Sequence, residues 1–236
     1  MHIRIGIENN IENRTMAWVL EHPGCFAYGD DEAEALLKLP PALIAYESWV
    51  NNHTTQSWVH FDDIELEIVD RFTTFRLGDD YCLAPPGEGY EINAWFIDDW
   101  RPLSTQEVDR AMNIFAWGRG ELLAGLNTLP DDVLEKTHPG QRWNILGIAK
   151  HIANAELWYL SRLGLTSLTH KDLDKEPEVR LSQTASLIQE HFPQFIDEVK
   201  VVGIEGEFWS FRKIVRRTLW HQRDHIDHIK QLALNS

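Results

Sequence analysis

The sequence predicts an α+β protein in two parts: a small α/β domain over residues 1–100 and an all-α, up-and-down four-helix bundle over residues 101–236. Two observations support this division. Before Pro102 apolar residues mostly alternate, as in strands, and after it they follow the three- and four-residue spacing of helices. The chain has 236 residues, of which 43% are hydrophobic, so it can form either one large domain or two small ones with packed interiors.

Strand patterns dominate the first part. "HIRIGI" and "DIELEIVDRFTTF" alternate at period two, and "MAWVLEHPGCFAYG" predicts two short strands around a Pro-Gly turn. "YEINAWFIDDW" is interpreted as a further strand. A helix over residues 31–50 has an acidic first turn, and Pro40–Pro41 should kink or break it.

Helix patterns fill the second part. Ser104 and Glu107 form a capping box that begins the first helix. Pro193 should kink the third helix, because proline lacks the N–H that a helix interior needs. Four helices of this length joined by loops favour an up-and-down bundle; their predicted ranges are 105–127, 143–163, 182–200 and 210–234.

Charge and composition exclude several classes of protein. The formal net charge of −15 repels phosphate backbones, so we expect no nucleic-acid partner. No apolar run approaches the ~20 residues that cross a bilayer, and the N-terminus does not resemble a signal peptide. Cys25 and Cys82 are too few for a disulfide framework. A cytoplasmic protein without a membrane partner is therefore expected.

The stretch "FRKIVRR" is the one basic cluster in this acidic chain. Its cations share one side of a helix while its apolar residues take the other. We interpret the basic side as a solvated helix face rather than an anion site; its members are Arg212, Lys213, Arg216 and Arg217.

Three histidines occupy eight residues of "TLWHQRDHIDHIKQL". His221 and His225 lie one turn apart and continue the apolar stripe of their helix, with His228 close beside them. A buried imidazole must find a hydrogen-bond partner or bind a metal. The pair could therefore be a satisfied core pair or two ligands of one cation. His151 lies at the edge of the apolar face of the helix over 143–163, where it could supply a third ligand.

Glu156 is unusual because it falls near the middle of that apolar face. Two functional roles are open to it, orienting a metal-bound imidazole or acting as a general base on a bound water. The alternative is a buried carboxylate paired with an arginine or with tryptophan N–H groups.

"RWNILGIAKHIANAELWYLSRLG" and "WSFRKIVRRTLWHQRDHIDHIKQL" resemble the DinB-like superfamily of four-helix metalloproteins, over roughly residues 102–236. The resemblance implies that His151, His221 and His225 bind a divalent metal at one end of the bundle. The family often has glutamine at the position of His228, which makes His228 a spare imidazole near the site rather than a ligand.

The segment "MAWVLEHPGCFAYGDDEAEALLKLPPALIAYESWV" resembles the HicB-like fold of antitoxin proteins, over about the first 75 residues. Its "PGC…GD…EA" pattern stands after a strand and before a helix. The double proline departs from the family's continuous helix, and the small DNA-binding segment of true antitoxins is replaced here by the bundle. The resemblance therefore implies a scaffold or small-ligand module.

Three hypotheses follow. In the first, the bundle is a metal-dependent enzyme; the resemblance implies thiol transfer or hydrolysis at a metal-activated nucleophile, with a small-molecule substrate such as a low-molecular-weight thiol. In the second, it is a non-catalytic metal-binding or protein-binding regulatory module, for which a basic toxin-like protein would suit the acidic charge. In the third, the histidines form a hydrogen-bonded network without a metal. Zinc, nickel and iron all accept imidazole, so the metal is left open. Bundles of this sort are often dimers, so the choice between monomer and homodimer is open too.

Overall fold

The computed structural model describes residues 2–235 as a mixed α+β chain with an N-terminal sheet. Short 3-10 helices occupy Ile97–Trp100 and Phe192–Phe195. The strands are β1 (His2–Ile11), β2 (Arg14–Val19), β3 (Phe26–Gly29), β4 (Glu65–Thr73), β5 (Phe75–Leu77), β6 (Tyr90–Ile92), β7 (Val201–Ile204) and β8 (Glu207–Ser210). The helices are α1 (Glu32–His53), α2 (Thr105–Thr128), α3 (Asp131–Leu134), α4 (Ile145–Arg162), α5 (Pro177–His191) and α6 (Phe211–Leu234).

The N-terminal sheet has the strand order β3-β2-β1-β4. β1, β2 and β3 pair antiparallel in succession, whereas β4 runs parallel to β1. A parallel pair needs a long crossover, and α1 stands in the connection between β3 and β4. The structure confirms the four strands, predicted from the strand patterns, and the helix predicted over residues 31–50.

Of the kink or break predicted at Pro40–Pro41, the break is wrong, because α1 is continuous from Glu32 to His53. A proline removes the hydrogen bond to the carbonyl four residues earlier. For Pro41 that carbonyl belongs to Leu37, whose side chain is 77% exposed, so water can reach this side of the helix. On the opposite side Leu39 and Leu43 are fully buried, and their packing stabilises the helix.

Two further predicted boundaries are wrong. The strand predicted over 90–100 ends at Ile92, and a 3-10 turn follows in which the Asp99 carboxylate accepts from the Phe96 N–H at 2.9 Å. The helix predicted over 182–200 is α5, which begins at Pro177 and ends at His191. Proline is favoured in the first helical turn, where its missing N–H has no partner to lose.

A hairpin of β7 and β8 replaces the expected loop before α6. Its turn is formed by Glu205 and Gly206, with φ angles of 53° and 77°. Two successive positive φ angles are typical of the tight turns that suit the twist of a hairpin. A Cβ on Gly206 would also lie 2.4 Å from Leu77 Cδ1, so any larger residue there would displace that side chain.

By their internal contacts the residues form two compact units, and neither is a single continuous segment. The first comprises Met1–Arg101 and Val199–Arg216, and the second comprises Pro102–Glu198 and Arg217–Ser236. Helix α6 therefore contributes its first six residues to one unit and the rest to the other.

The interpretation of the basic cluster as a solvated face is wrong. All four side chains are buried, with Lys213 at 0% exposure and Arg212, Arg216 and Arg217 at 6% or less. Carboxylates that pair with two of these cations make the burial of those two possible. In the first unit, the Lys213 ammonium lies 2.6 Å from the Glu207 carboxylate and Arg216 lies 2.6 Å from Asp99. Buried cations are tolerated when they are paired in this way.

Lys213 provides a pH-dependent test of this pairing. Burial lowers the pKa of Lys213 from 10.5 to about 8, although the neighbouring Glu207 raises it. Between these two pH values the unfolded chain binds the proton that the folded chain has lost, so stability rises with pH. Wild type should therefore gain up to roughly 2 kcal/mol relative to Lys213→Met when urea unfolding is repeated at pH about 9.5 instead of about 7.5. A difference that stays flat or falls would contradict this account of Lys213.

The second unit contains one apolar cluster shared by its long helices. Leu126 of α2, Ile152 of α4, Leu181 of α5 and Ile229 of α6 all belong to it. The predicted ranges of three of these helices agree with the structure to within two residues, while the up-and-down order of the bundle stays a prediction. Within residues 2–235, each helix is too short or too polar to cross a bilayer.

Candidate metal centre

Two helices of the second unit carry the three histidines. The Asn144 side chain begins α4 by accepting from the Gly147 N–H at 2.9 Å, and His151 follows two turns along. His221 and His225 stand one turn apart on α6, on the same side of the helix. The helical periodicity of both segments therefore determines where the imidazoles project.

The structure brings these imidazoles together. His221 Nε2 lies 3.1 Å from His151 Nε2 and 3.0 Å from His225 Nε2. All three candidate ligand atoms lie within 4.8 Å of one another, so they could hold one metal ion. His221 is 6% exposed, whereas His151 and His225 are only half-buried.

Hydrogen bonding alone does not account for these contacts. A neutral imidazole nitrogen carries either one proton or one lone pair. His221 Nε2 can thus form one linear hydrogen bond, and its two close nitrogen neighbours compete for it. The buried Nδ1 atoms of His221 and His225 have no hydrogen-bond partner either. A cation between the three Nε2 atoms would attract all three lone pairs at once, so this donor set fits a metal ion.

Burial disfavours the charged form of His221 and His225. Burial, with the neighbouring His151 and His228, lowers the pKa of His225 from 6.5 to about 3. Burial also lowers the pKa of His221 well below its ordinary value, with added repulsion from His225, His151 and the Arg217 cation. Neutral imidazole is the form that donates a lone pair to a metal.

Aromatic rings surround the cluster. Trp143 stacks on His151 with ring centroids 4.6 Å apart and an angle of 25° between the planes. The Tyr159 ring lies nearly perpendicular to the His221 ring with centroids 6.1 Å apart, and the Trp220 centroid lies 5.7 Å from that of His221. These rings restrict the orientations of two of the three imidazoles.

His228 and Glu156 have other partners. His228 Nε2 lies 2.9 Å from the Gln141 side-chain oxygen. Glu156 is 1% exposed and forms an ion pair with Arg119, while its second oxygen accepts from the Thr184 hydroxyl at 2.6 Å. Both oxygens of Glu156 are engaged, and the carboxylate is paired with an arginine, as in the alternative raised from the sequence.

Sequence reasoning raised an arginine as a possible partner of Glu156 but did not identify which residues contact it. Arg119 Nε donates to the Gln222 side-chain oxygen at 3.0 Å, so a buried polar network links these residues. A signal was present for one of them. Arg119 follows Phe115 by four residues and precedes Leu122 by three, so it occupies the apolar stripe of its helix. A charged residue in that position indicates a buried ion pair.

Comparison with known proteins supports part of the assignment made from the sequence. The model of the DinB family matches residues 105–200, which supports the DinB-like assignment of the C-terminal part. The matched segment includes His151 and ends before His221 and His225. It gives no support to the HicB-like assignment of the N-terminal part. Neither the curated proteins nor the solved structures gave a match.

Proposed function

We propose that this DinB-like chain is a metal-dependent enzyme in which His151, His221 and His225 hold one divalent ion. The reaction we propose is thiol transfer or hydrolysis at a nucleophile that the ion activates. The family match over residues 105–200 and the histidine cluster support the proposal.

The observation that carries it is the crowding of the Nε2 atoms. Nitrogens that share an ion at about 2.1 Å lie about 3.0 to 3.4 Å apart for bond angles between about 90° and 110°. The separations of 3.1 Å and 3.0 Å at His221 fall in this range. Without a cation, the same nitrogens compete for a single hydrogen bond.

The number of protein ligands to the ion, three rather than four, favours a catalytic role. Three ligands leave coordination positions for water or substrate, whereas structural zinc sites are closed by four. Solvent can reach this site, since His151 and His225 are only half-buried. A bound divalent ion lowers the pKa of coordinated water or thiol. The chain's own contribution is to keep His221 and His225 neutral by burial and to orient His151 by stacking it on Trp143.

Metal binding is tested first. Untagged protein should contain a divalent metal near one equivalent by elemental analysis. Metal-free protein should gain thermal stability when Zn²⁺ or Ni²⁺ is added, because a ligand that binds only the folded state stabilises it by about 2.7 kcal/mol at 100 times Kd. Protein without metal, with a melting temperature unaffected by both ions, would contradict the proposal.

Turnover is tested second, by screening low-molecular-weight thiols with electrophiles and, separately, hydrolysable esters and amides. We expect metal-dependent turnover that His221→Ala abolishes. Stoichiometric metal with no turnover in either screen would instead favour a non-catalytic metal-binding module.

A further inference from the structure

Four buried polar side chains connect the four long helices of the second unit. Each is 5% exposed or less: Arg119 on α2, Glu156 on α4, Thr184 on α5 and Gln222 on α6. Arg119 is the centre of the network. Its guanidinium donates to the Glu156 carboxylate, to the Leu181 carbonyl and, at 3.0 Å, to the Gln222 side-chain oxygen.

One guanidinium therefore contacts both helices that carry the histidines. Along α4, Glu156 lies five residues after His151, about 7.5 Å along the helix axis. On α6, Gln222 directly follows His221, and consecutive helical residues project about 100° apart. Gln222 thus contacts α2 while His221 lies against His151 of α4.

The Gln222 amide is held from two sides. Its oxygen accepts from Arg119, and its nitrogen donates to the Phe115 carbonyl at 3.1 Å. The absence of a side chain at Gly118 makes room for it, since a Cβ there would lie 2.6 Å from Gln222 Nε2. A rotation or a slide of α6 by a fraction of a turn would break both hydrogen bonds.

General stability is a weak explanation for such a network. A buried ion pair often adds little net stability compared with well-packed apolar residues of the same volume. Its directional bonds can, however, specify one alignment of the helices, and a metal site needs its ligands to be placed within about 0.5 Å.

We propose that Arg119, through Glu156 and Gln222, is a positioning residue that aligns α4 with α6 so that the three Nε2 atoms converge. This inference rests on the proposed function, since it concerns the site at which the metal binds. None of the four side chains belongs to the candidate ligand set, so the network acts on the site through the helices.

The experiment titrates Co²⁺ into metal-free full-length protein and follows its visible absorption bands, which report coordination number and geometry. The test variant is Gln222→Met, which releases α6 from Arg119 and leaves the ion pair with Glu156 intact. The matched control is Asn154→Leu. The Asn154 side-chain oxygen accepts from the buried Arg180 at 2.6 Å and 3.0 Å, so this change also removes an amide acceptor from a buried arginine. The pair links α4 to α5 and does not involve α6.

We expect Gln222→Met to bind Co²⁺ about tenfold more weakly or worse, with changed absorption bands, and Asn154→Leu to bind as wild type does. Equal binding by Gln222→Met and wild type, or equal weakening in both variants, would overturn the positioning role. If Gln222→Met does not fold, Gly118→Ala is the second variant. It displaces the same amide and improves helix propensity. We expect it to weaken Co²⁺ binding and change the absorption bands in the same way. A wild type that binds no Co²⁺ contradicts the proposed function itself.

Discussion

Substituting His221 with alanine should lower the affinity for Co²⁺ about 100-fold or more, because one of three ligands is lost and its Nε2 is the atom that both other imidazoles contact. His151→Ala and His225→Ala should have similar effects. The measurement is a Co²⁺ titration of metal-free protein, with far-UV circular dichroism to show that each variant folds.

His228→Ala is the matched control for this series. It removes an imidazole from the same helix, one turn after His225, but its Nε2 pairs with Gln141. We expect its Co²⁺ affinity to stay within about threefold of wild type. If His228→Ala weakened binding as much as His225→Ala, the assignment of ligands would be wrong.

Replacing Glu156 with leucine should destabilise the metal-free protein by about 3–5 kcal/mol, because the Arg119 cation would stay buried without its counter-ion. Urea unfolding in the presence of a chelator measures this effect without any contribution from metal. Adding Arg119→Met to Glu156→Leu should recover at least half of the loss, since the unpaired charge is then removed as well.

This pair of variants also distinguishes the roles considered for Glu156. If the Glu156 carboxylate acts as the partner of Arg119, its removal lowers the stability of the fold whether or not metal is present. If Glu156→Leu instead left stability unchanged and abolished turnover, Glu156 would be the general base and not the partner of Arg119.

Local patterns predicted the parts of the fold that local interactions determine. The capping box predicted the start of α2, and its side-chain bond is present, with the Ser104 hydroxyl accepting from the Glu107 N–H at 3.3 Å. The helical spacing placed His221 and His225 on one inward face, where the structure has them. A sequence pattern can do this because the geometry of a helix is the same in every protein.

Predictions failed where the partner is distant in the sequence. Arg216 pairs with Asp99, which lies 117 residues away in the sequence. No residue within or next to "FRKIVRR" indicates that this arginine has a buried carboxylate partner. For Glu156 the sequence raised a buried pairing with an arginine, but it did not identify Arg119, which lies on a different helix. Charged residues are exposed by default, so a pattern analysis places them on the surface unless the apolar stripe itself includes them.

The hairpin of β7 and β8 was missed for a different reason. Its turn residues, Glu205 and Gly206, stand between short alternating stretches, which is a recognisable hairpin signal. The helix predicted over 182–200 extended too far towards the C-terminus. The short segment between it and the next predicted helix was therefore interpreted as a loop. Pro177 lies in the first turn of α5, where proline is favoured. Using it as the start signal would have placed the beginning of this helix correctly.

The most direct measurement of the central claim is X-ray absorption spectroscopy on the metal-loaded protein. Convergence of the three imidazoles predicts three nitrogen ligands at about 2.0–2.1 Å for zinc, together with oxygen ligands from solvent. A spectrum with fewer than three imidazole ligands, or with sulfur from Cys25 or Cys82, would contradict it.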